Sequence, residues 1–167
     1  MLNFFKKNKI IELVSPMTGR IIPVEEVPDK VFSDKMIGDG IAIEPSDGKI
    51  VSPVDGTVTT IFPTNHAIGL VTKEGLEILI HIGLDTVELN GAGFNRLTEV
   101  DTRVKKGDPL MEFDPKLVVE KGKSPITPII ITNMDKVKKL EKNSGGVERG
   151  NQIIYTVELS WWKIDKI

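Results

Sequence analysis

The sequence contains no cysteine and few histidine or aromatic residues. Its 167 residues include two histidines, one tyrosine and two tryptophans. The absence of thiols excludes disulfides, thiolate nucleophiles and cysteine-type zinc sites. Lysine and arginine number 22 against 24 aspartates and glutamates, so the net charge of −2 gives no electrostatic reason to bind a phosphate backbone. We therefore expect no nucleic-acid partner.

The N-terminal stretch MLNFFKKNK lacks an apolar run long enough for a signal-peptide core or a membrane span. We expect a cytoplasmic protein whose residues 1–10 form a flexible tail, with at most a weak membrane contact through Leu2, Phe4 and Phe5. The length suggests one domain, which we place at residues 11–159. Beyond it lies a C-terminal extension without an assigned role, residues 160–167, which includes Trp161 and Trp162.

Short β-branched runs alternate with turn signals along the chain. The turn dipeptides are Asp-Gly at 39–40, 47–48 and 55–56, and Asn-Gly at 90–91. So many short strands predict an all-β fold, an antiparallel sandwich or barrel with short helical decorations. One helix is predicted from Asp114 through Val119, and another after Asn133 with Val137 and Leu140 on one face.

A weak internal repeat accompanies this pattern, because VSPMTGRI at 14–21 returns as VSPVDGTV at 51–58. The repeat resembles the paired half-barrels of biotinyl and lipoyl carrier domains. An alternative function is therefore that of a swinging-arm carrier, in which Lys35 would bear the covalently attached group. Lys35 lacks the Met-Lys-Met arrangement at a hairpin tip that such carriers use, which disfavours this rival.

Both histidines lie close together in sequence, His66 just before the run AIGLVT and His81 within LEILIHIGL. A hairpin turn at 73–75 would place the two strands antiparallel and side by side. The register of the two strands can be given as the sum of the numbers of two residues that pair across them. A sum of 147 places the histidines directly opposite each other, and a sum of 149 places them diagonally on the same face. A sum of 148 puts them on opposite faces.

Alternation along the second strand predicts Ile78, Ile80 and Ile82 inward and His81 outward beside Gly83. A lone histidine on a strand is often a buried residue satisfied by a backbone carbonyl, but two on neighbouring strands favour a site. Two chemistries fit two histidines without cysteine. One is metal binding, which needs further ligands, and the other is phosphoryl transfer through a neutral imidazole.

The stretch GLEILIHIGLDTV, residues 75–87, resembles the phosphohistidine signature of glucose-type enzyme IIA proteins of the bacterial phosphoenolpyruvate-dependent sugar phosphotransferase system. The resemblance extends in order through residues 15–43 and 52–70 and the motifs GAGF, GDPLMEFD and PIIITNMD. It implies a phosphotransferase domain over 11–159, built as an antiparallel β-sandwich with Greek-key and jelly-roll connections.

The motif match also implies residue roles. His81 would be phosphorylated at Nε2 by phospho-HPr, the small histidine phosphocarrier protein. His66 would steady the phosphoryl group, with Thr64 bonded to His66, and the group would pass to the IIB domain of a glucose-type sugar permease. Asp85 lies in the same signature without an assigned role. An exposed hydrophobic collar for docking HPr and IIB would comprise Val31, Phe32, Met36, Ile37, Phe62, Ile68 and Val87.

No cofactor is required for this function. The alternative is a regulatory binding module in which His66 and His81 hold zinc together with a carboxylate from a partner protein. The resemblance also admits regulated enzymes or transporters as further partners. Which sugar the permease imports is not encoded in these motifs.

Overall fold

The computed structural model describes residues 9–160, which form antiparallel β-sheets with two short α-helices. The helices are α1 (Lys30–Ser33) and α2 (Pro115–Glu120), and 3-10 turns lie at Val24–Glu26, Thr86–Leu89 and Met134–Lys136. The strands are β1 (Lys9–Val14), β2 (Gly19–Pro23), β3 (Asp39–Pro45), β4 (Lys49–Val51), β5 (Gly56–Ile61), β6 (Ala67–Val71), β7 (Glu77–His81), β8 (Phe94–Arg96), β9 (Arg103–Val104), β10 (Pro109–Phe113), β11 (Thr127–Ile131), β12 (Val137–Lys142), β13 (Gly146–Val147) and β14 (Ile153–Leu159). Within this range no helix is long and apolar enough to cross a membrane.

The strands form three sheets. The largest has the order β13-β2-β3-β11-β7-β6-β5-β9, and the two smaller sheets are β1-β14-β12 and β4-β10-β8. The neighbours β3, β11 and β7 are distant in sequence, so long connections join them, as the expected Greek-key arrangement requires. None of these three sheets closes on itself within residues 9–160, so the prediction of an antiparallel sandwich is confirmed and a barrel is not formed.

The large sheet buries one face in the main core and carries the histidines towards the other. On β7, Ile78 and Ile80 are fully buried in that core, while Leu79 and His81 are half-buried on the outer face. This confirms the predicted alternation. A second, smaller cluster covers part of the outer face and comprises Val24, Val27, Phe32, Ala42, Leu84 and Ile130.

The first predicted helix is confirmed and the second is wrong. Asp114 caps α2 by accepting hydrogen bonds from the backbone amides of Lys116 and Leu117. The segment after Asn133 makes a single 3-10 turn and then becomes the strand β12, paired with β14. A register shift early in β12 allows Val137 and Leu140 to face the core together. Because these residues are three positions apart, their pattern in the sequence is the same as that of one face of a helix.

The repeat corresponds to a symmetric pair of turns. Ser15 donates to the carbonyl of Met17, and Ser52 donates to that of Val54, each at 2.6 Å. The two copies also exchange backbone hydrogen bonds, since Val14 donates to Pro53 and Val51 donates to Pro16. The repeat therefore links the ends of β1 and β4, which belong to the two smaller sheets. The rival site Lys35 instead lies in ion pairs with Glu25 and Asp39.

The ordered strands begin two residues earlier than the predicted domain boundary. Lys9 and Ile10, which the sequence placed in the tail, pair with Leu159 and Glu158. Within the described residues, the last strand ends at Leu159. The predicted membrane contact of the tail involves Leu2, Phe4 and Phe5, which lie outside the described residues, as do Trp161 and Trp162.

Candidate functional site

His81 ends the central strand β7, and its ring is anchored by the backbone just after it. The Nδ1 atom lies 2.8 Å from the carbonyl oxygen of Gly83. Because a carbonyl can only accept a hydrogen bond, Nδ1 carries the imidazole proton and Nε2 keeps a free lone pair. Gly83 has φ +75°, and a Cβ there would meet Thr86 Cγ2 at 2.5 Å and the Ser124 carbonyl oxygen at 2.8 Å. Glycine is therefore required at this anchor.

His66 lies in the loop between β5 and β6 and is 4 % exposed. Its Nδ1 atom is 2.5 Å from the hydroxyl oxygen of Thr64. The centroids of the His66 and His81 rings are 5.2 Å apart, with their planes at 78°. Since both Nδ1 atoms are engaged by anchors, each ring has only its Nε2 atom left for an incoming group.

The predicted antiparallel pairing of β6 with β7 is confirmed. The expectation that their register decides whether the two histidines share a face is wrong. Ala67 pairs with His81, so paired numbers sum to 148, for which the sequence predicted histidines on opposite faces. The rule fails because His66 precedes β6 and does not continue its pleat. Asn65 has φ +62°, and this left-handed bend turns the His66 side chain towards His81.

Two phenylalanines pack against the histidine pair. The Phe32 ring centroid lies 5.0 Å from that of His81, and the Phe62 centroid lies 5.2 Å from that of His66, edge-on. Phe32 comes from α1, whose N-terminus is capped by the carboxylate of Asp29. Apolar rings thus limit the directions from which water reaches the two histidines.

Comparison with known proteins identifies the kind of molecule that carries this site. Residues 11–137 match the family model of the phosphoenolpyruvate-dependent sugar phosphotransferase system, EIIA 1. The chain belongs to this family. It is 45% identical over 155 residues to the glucose-specific EIIA component of the phosphotransferase system from Haemophilus influenzae, covering 92% of this chain and 93% of that one.

Two further relatives agree. The structure of glucose permease IIA from Mycoplasma capricolum superimposes with a TM-score of 0.84 at 42% identity, covering 93% of this chain and 99% of that one. A glucose-specific EIICBA component from Staphylococcus saprophyticus is 54% identical over 125 residues, which cover 75% of this chain and 18% of the relative. The EIIA chain is thus a phosphotransfer component of a sugar transport system, as the sequence predicted.

The predicted collar of this EIIA protein is only partly exposed. Val31, Met36, Ile37, Phe62 and Val87 are between 38% and 68% exposed, but Phe32 is 3% exposed and Ile68 is fully buried. Ile68 pairs with Ile80 on the core face of the large sheet, so no partner can touch it. Phe32 is covered by the small outer cluster around it. Both assignments to an exposed collar are therefore wrong.

The environment of the pair favours neutral imidazoles. Burial lowers the pKa of His66, and the proximity of His81 lowers it further. Burial also lowers the pKa of His81, although the hydrogen bond to Gly83 and the negative charges of Asp29 and Asp85 act in the opposite direction. Both carboxylates thus act electrostatically on His81. The sequence predicted neither the helix that Asp29 caps nor the electrostatic effect of Asp29 on His81.

A resident metal does not fit the donors present. No group of three or more histidine, cysteine or acidic side chains in residues 9–160 is placed to hold a metal ion. The two imidazoles supply only two nitrogen ligands, which leaves a tetrahedral zinc site incomplete. The zinc alternative therefore finds no support within this part of the chain.

Proposed function

We propose that this EIIA protein accepts a phosphoryl group from phospho-HPr on Nε2 of His81 and passes it to the IIB domain of a glucose-type sugar permease. The observation that carries the proposal is the hydrogen bond from His81 Nδ1 to the Gly83 carbonyl. The bond supports a neutral His81 with its proton on Nδ1, in which the Nε2 lone pair is available as the nucleophile beside the ring of His66.

The reaction is a pair of in-line displacements. The lone pair of His81 Nε2 attacks the phosphorus, the bond to the donor imidazole of HPr breaks, and that imidazole recovers its electron pair. In the second step a nucleophile of IIB attacks the same phosphorus and His81 leaves. The lowered pKa of His81 keeps its imidazole neutral, and therefore nucleophilic, near pH 7.

His66 supports the transferred group without carrying it. If the Thr64 hydroxyl donates to Nδ1, the His66 proton lies on Nε2 and can be donated to a phosphoryl oxygen of phospho-His81. A neutral donor stabilises the charge developing in transfer without binding the phosphoryl group as tightly as a cation would. Thr64 thus sets the tautomer that makes His66 a donor.

The partners would dock on the exposed part of the collar, which offers apolar surface and includes Phe62 beside His66. Both HPr and IIB would cover this surface and exclude the water that hydrolyses phosphohistidine. A link to IIB is supported by the name of the Staphylococcus relative, which is an EIICBA component. We place the exchange in the cytoplasm.

The test is phosphorylation with purified partners. The protein is incubated with phosphoenolpyruvate, enzyme I and HPr, and its intact mass is measured at neutral and acidic pH. We expect one acid-labile phosphoryl group that depends on HPr and is absent from a His81→Asn variant. A phosphoryl group that persists in His81→Asn, or no HPr-dependent mass gain in the wild type, would overturn the proposal.

A further inference from the structure

The loop that carries His66 is held at two places. The Ile82 amide, just after β7, donates to the His66 carbonyl at 2.6 Å, and a side chain from another sheet reaches Asn65. Inside the loop, the Asn65 amide donates to the Phe62 carbonyl at 2.7 Å, and the Phe62 amide donates to Ala67 at 3.0 Å. These bonds close the hairpin between β5 and β6. Within this hairpin Asn65, which directly precedes His66, occupies the left-handed region with φ +62°.

The side chain of Arg96 reaches this bend from a different sheet. Its Nε and Nη2 atoms donate to the Asn65 side-chain oxygen at 3.0 and 2.8 Å. Arg96 ends β8, where it pairs with Met111 of β10 in the small sheet. The remaining amine, Nη1, lies 3.3 Å from Glu99, whose side chain is 74% exposed. One oxygen thus receives two donors from a planar group fixed on a separate sheet.

We propose that Arg96 is a positioning residue that holds Asn65 in its left-handed bend and so keeps the His66 ring against His81. The inference rests on the proposed function of the histidine pair and extends it to a residue that touches neither ring. A guanidinium is suited to this task because its two adjacent donors fix both the position and the orientation of their acceptor. A lysine at the same position would supply a single mobile donor.

Several variants isolate the contact. Arg96→Leu removes both donors, and Asn65→Gly removes the acceptor while still permitting φ +62° at this position. Glu99→Gln is the matched control, because it removes the exposed ion pair and leaves both bonds to Asn65 in place. The double variant Arg96→Leu with Asn65→Gly tests whether the two side chains act as one unit.

Two measurements are made on each variant. The first follows the imidazole nitrogen resonances of His66 by NMR, without any phosphoryl donor. The second compares acceptance of phosphate from HPr with delivery to IIB. We expect Arg96→Leu to shift the His66 resonances and slow delivery about tenfold, since a small misplacement of a positioned group costs up to about 10²-fold. Acceptance by His81 should change less than about twofold, and Glu99→Gln should resemble the wild type in both measurements.

The outcomes separate this inference from the proposed function. A wild type that does not transfer phosphate refutes the proposed function, while the NMR comparison still tests the bend. A wild type that transfers normally alongside an Arg96→Leu variant with unchanged His66 resonances and unchanged delivery overturns the inference. If Arg96→Leu fails to fold, Arg96→Lys and Asn65→Gly supply the same comparison. If the double variant delivers phosphate to IIB much more slowly than either single variant, Arg96 and Asn65 do not act through one shared contact, which would also contradict the inference.

Discussion

His81 and His66 face each other at one site, yet different kinds of structure hold them. His81 belongs to β7, which is hydrogen-bonded to β11 on one side and β6 on the other, and its ring is anchored to backbone. His66 lies in a hairpin loop, where its carbonyl accepts a hydrogen bond from the Ile82 amide. Its ring, however, is anchored by the Thr64 side chain, and the neighbouring Asn65 is held by Arg96. The ring of the proposed nucleophile is therefore anchored to backbone, and the ring of the proposed supporting donor is anchored by a side-chain contact that a single substitution can remove.

The first prediction concerns the packing on the His81 side. Phe32→Ala should lower the free energy of unfolding by about 3–5 kcal/mol, because it removes a buried ring beside His81. Met36→Ser, at a 68% exposed position of the collar, should change it by no more than about 0.5 kcal/mol. Chemical denaturation of both variants measures the difference. Equal stability of the two variants would mean that Phe32 is not part of the packed support.

The second prediction separates the histidines. His66→Gln retains a donor but not the imidazole geometry, so HPr should still phosphorylate His81. Delivery to IIB should fall on the order of 100-fold, the usual cost of losing a preorganised donor. Rapid-quench measurement of each half-reaction gives the two rates. Delivery at the wild-type rate would show that His66 does not support the transfer.

The third prediction concerns the tautomer of His66. Thr64→Val removes the hydroxyl that contacts Nδ1, and delivery should slow about tenfold, at the low end of the effects of removing such supporting groups. Thr64→Ser keeps a hydroxyl and serves as the control. A Val variant as fast as the Ser variant would argue that the tautomer is set elsewhere.

The smallest expected effect is on pH dependence. Both imidazole pKa values are lowered in the folded protein. As the pH falls through about 6.5, the histidines of the unfolded chain therefore bind protons at a higher pH than those of the folded protein. The contribution of the pair to stability is therefore present above that pH and is lost below it. His66 and His81 are the only histidines of the chain, so a double glutamine variant should lose less stability between pH 7.5 and 5.5 than the wild type. Thermal denaturation at the two pH values measures this, and equal losses would contradict the lowered pKa values.

The sequence predicted most of the fold and the pairing of the two histidines, and its errors have physical causes. Alternation on β7 was readable because the strand is regular, and the cap at Asp114 was readable because capping is local. The errors at β12 and at His66 arose where a bulge or a left-handed bend breaks the period that sequence patterns rely on. The burial of Ile68 follows from its pairing with Ile80, a register that the sequence left open.

Contacts between distant segments were beyond reach of any local pattern. Asp29, at the N-terminus of α1, acts electrostatically on His81, and Arg96 reaches Asn65 from another sheet. Neither pair has a spacing that marks it in the sequence. Such contacts depend on the sheet order, which the strand pattern alone does not specify.

The most direct test of the account is NMR of the phosphorylated protein with nitrogen-15-labelled histidine. The hydrogen bond to Gly83 predicts that phosphorus is attached to Nε2 of His81 and that Nδ1 keeps its proton, while His66 remains unmodified. Phosphorus on Nδ1 of His81, or on either nitrogen of His66, would contradict the assignment of the nucleophile.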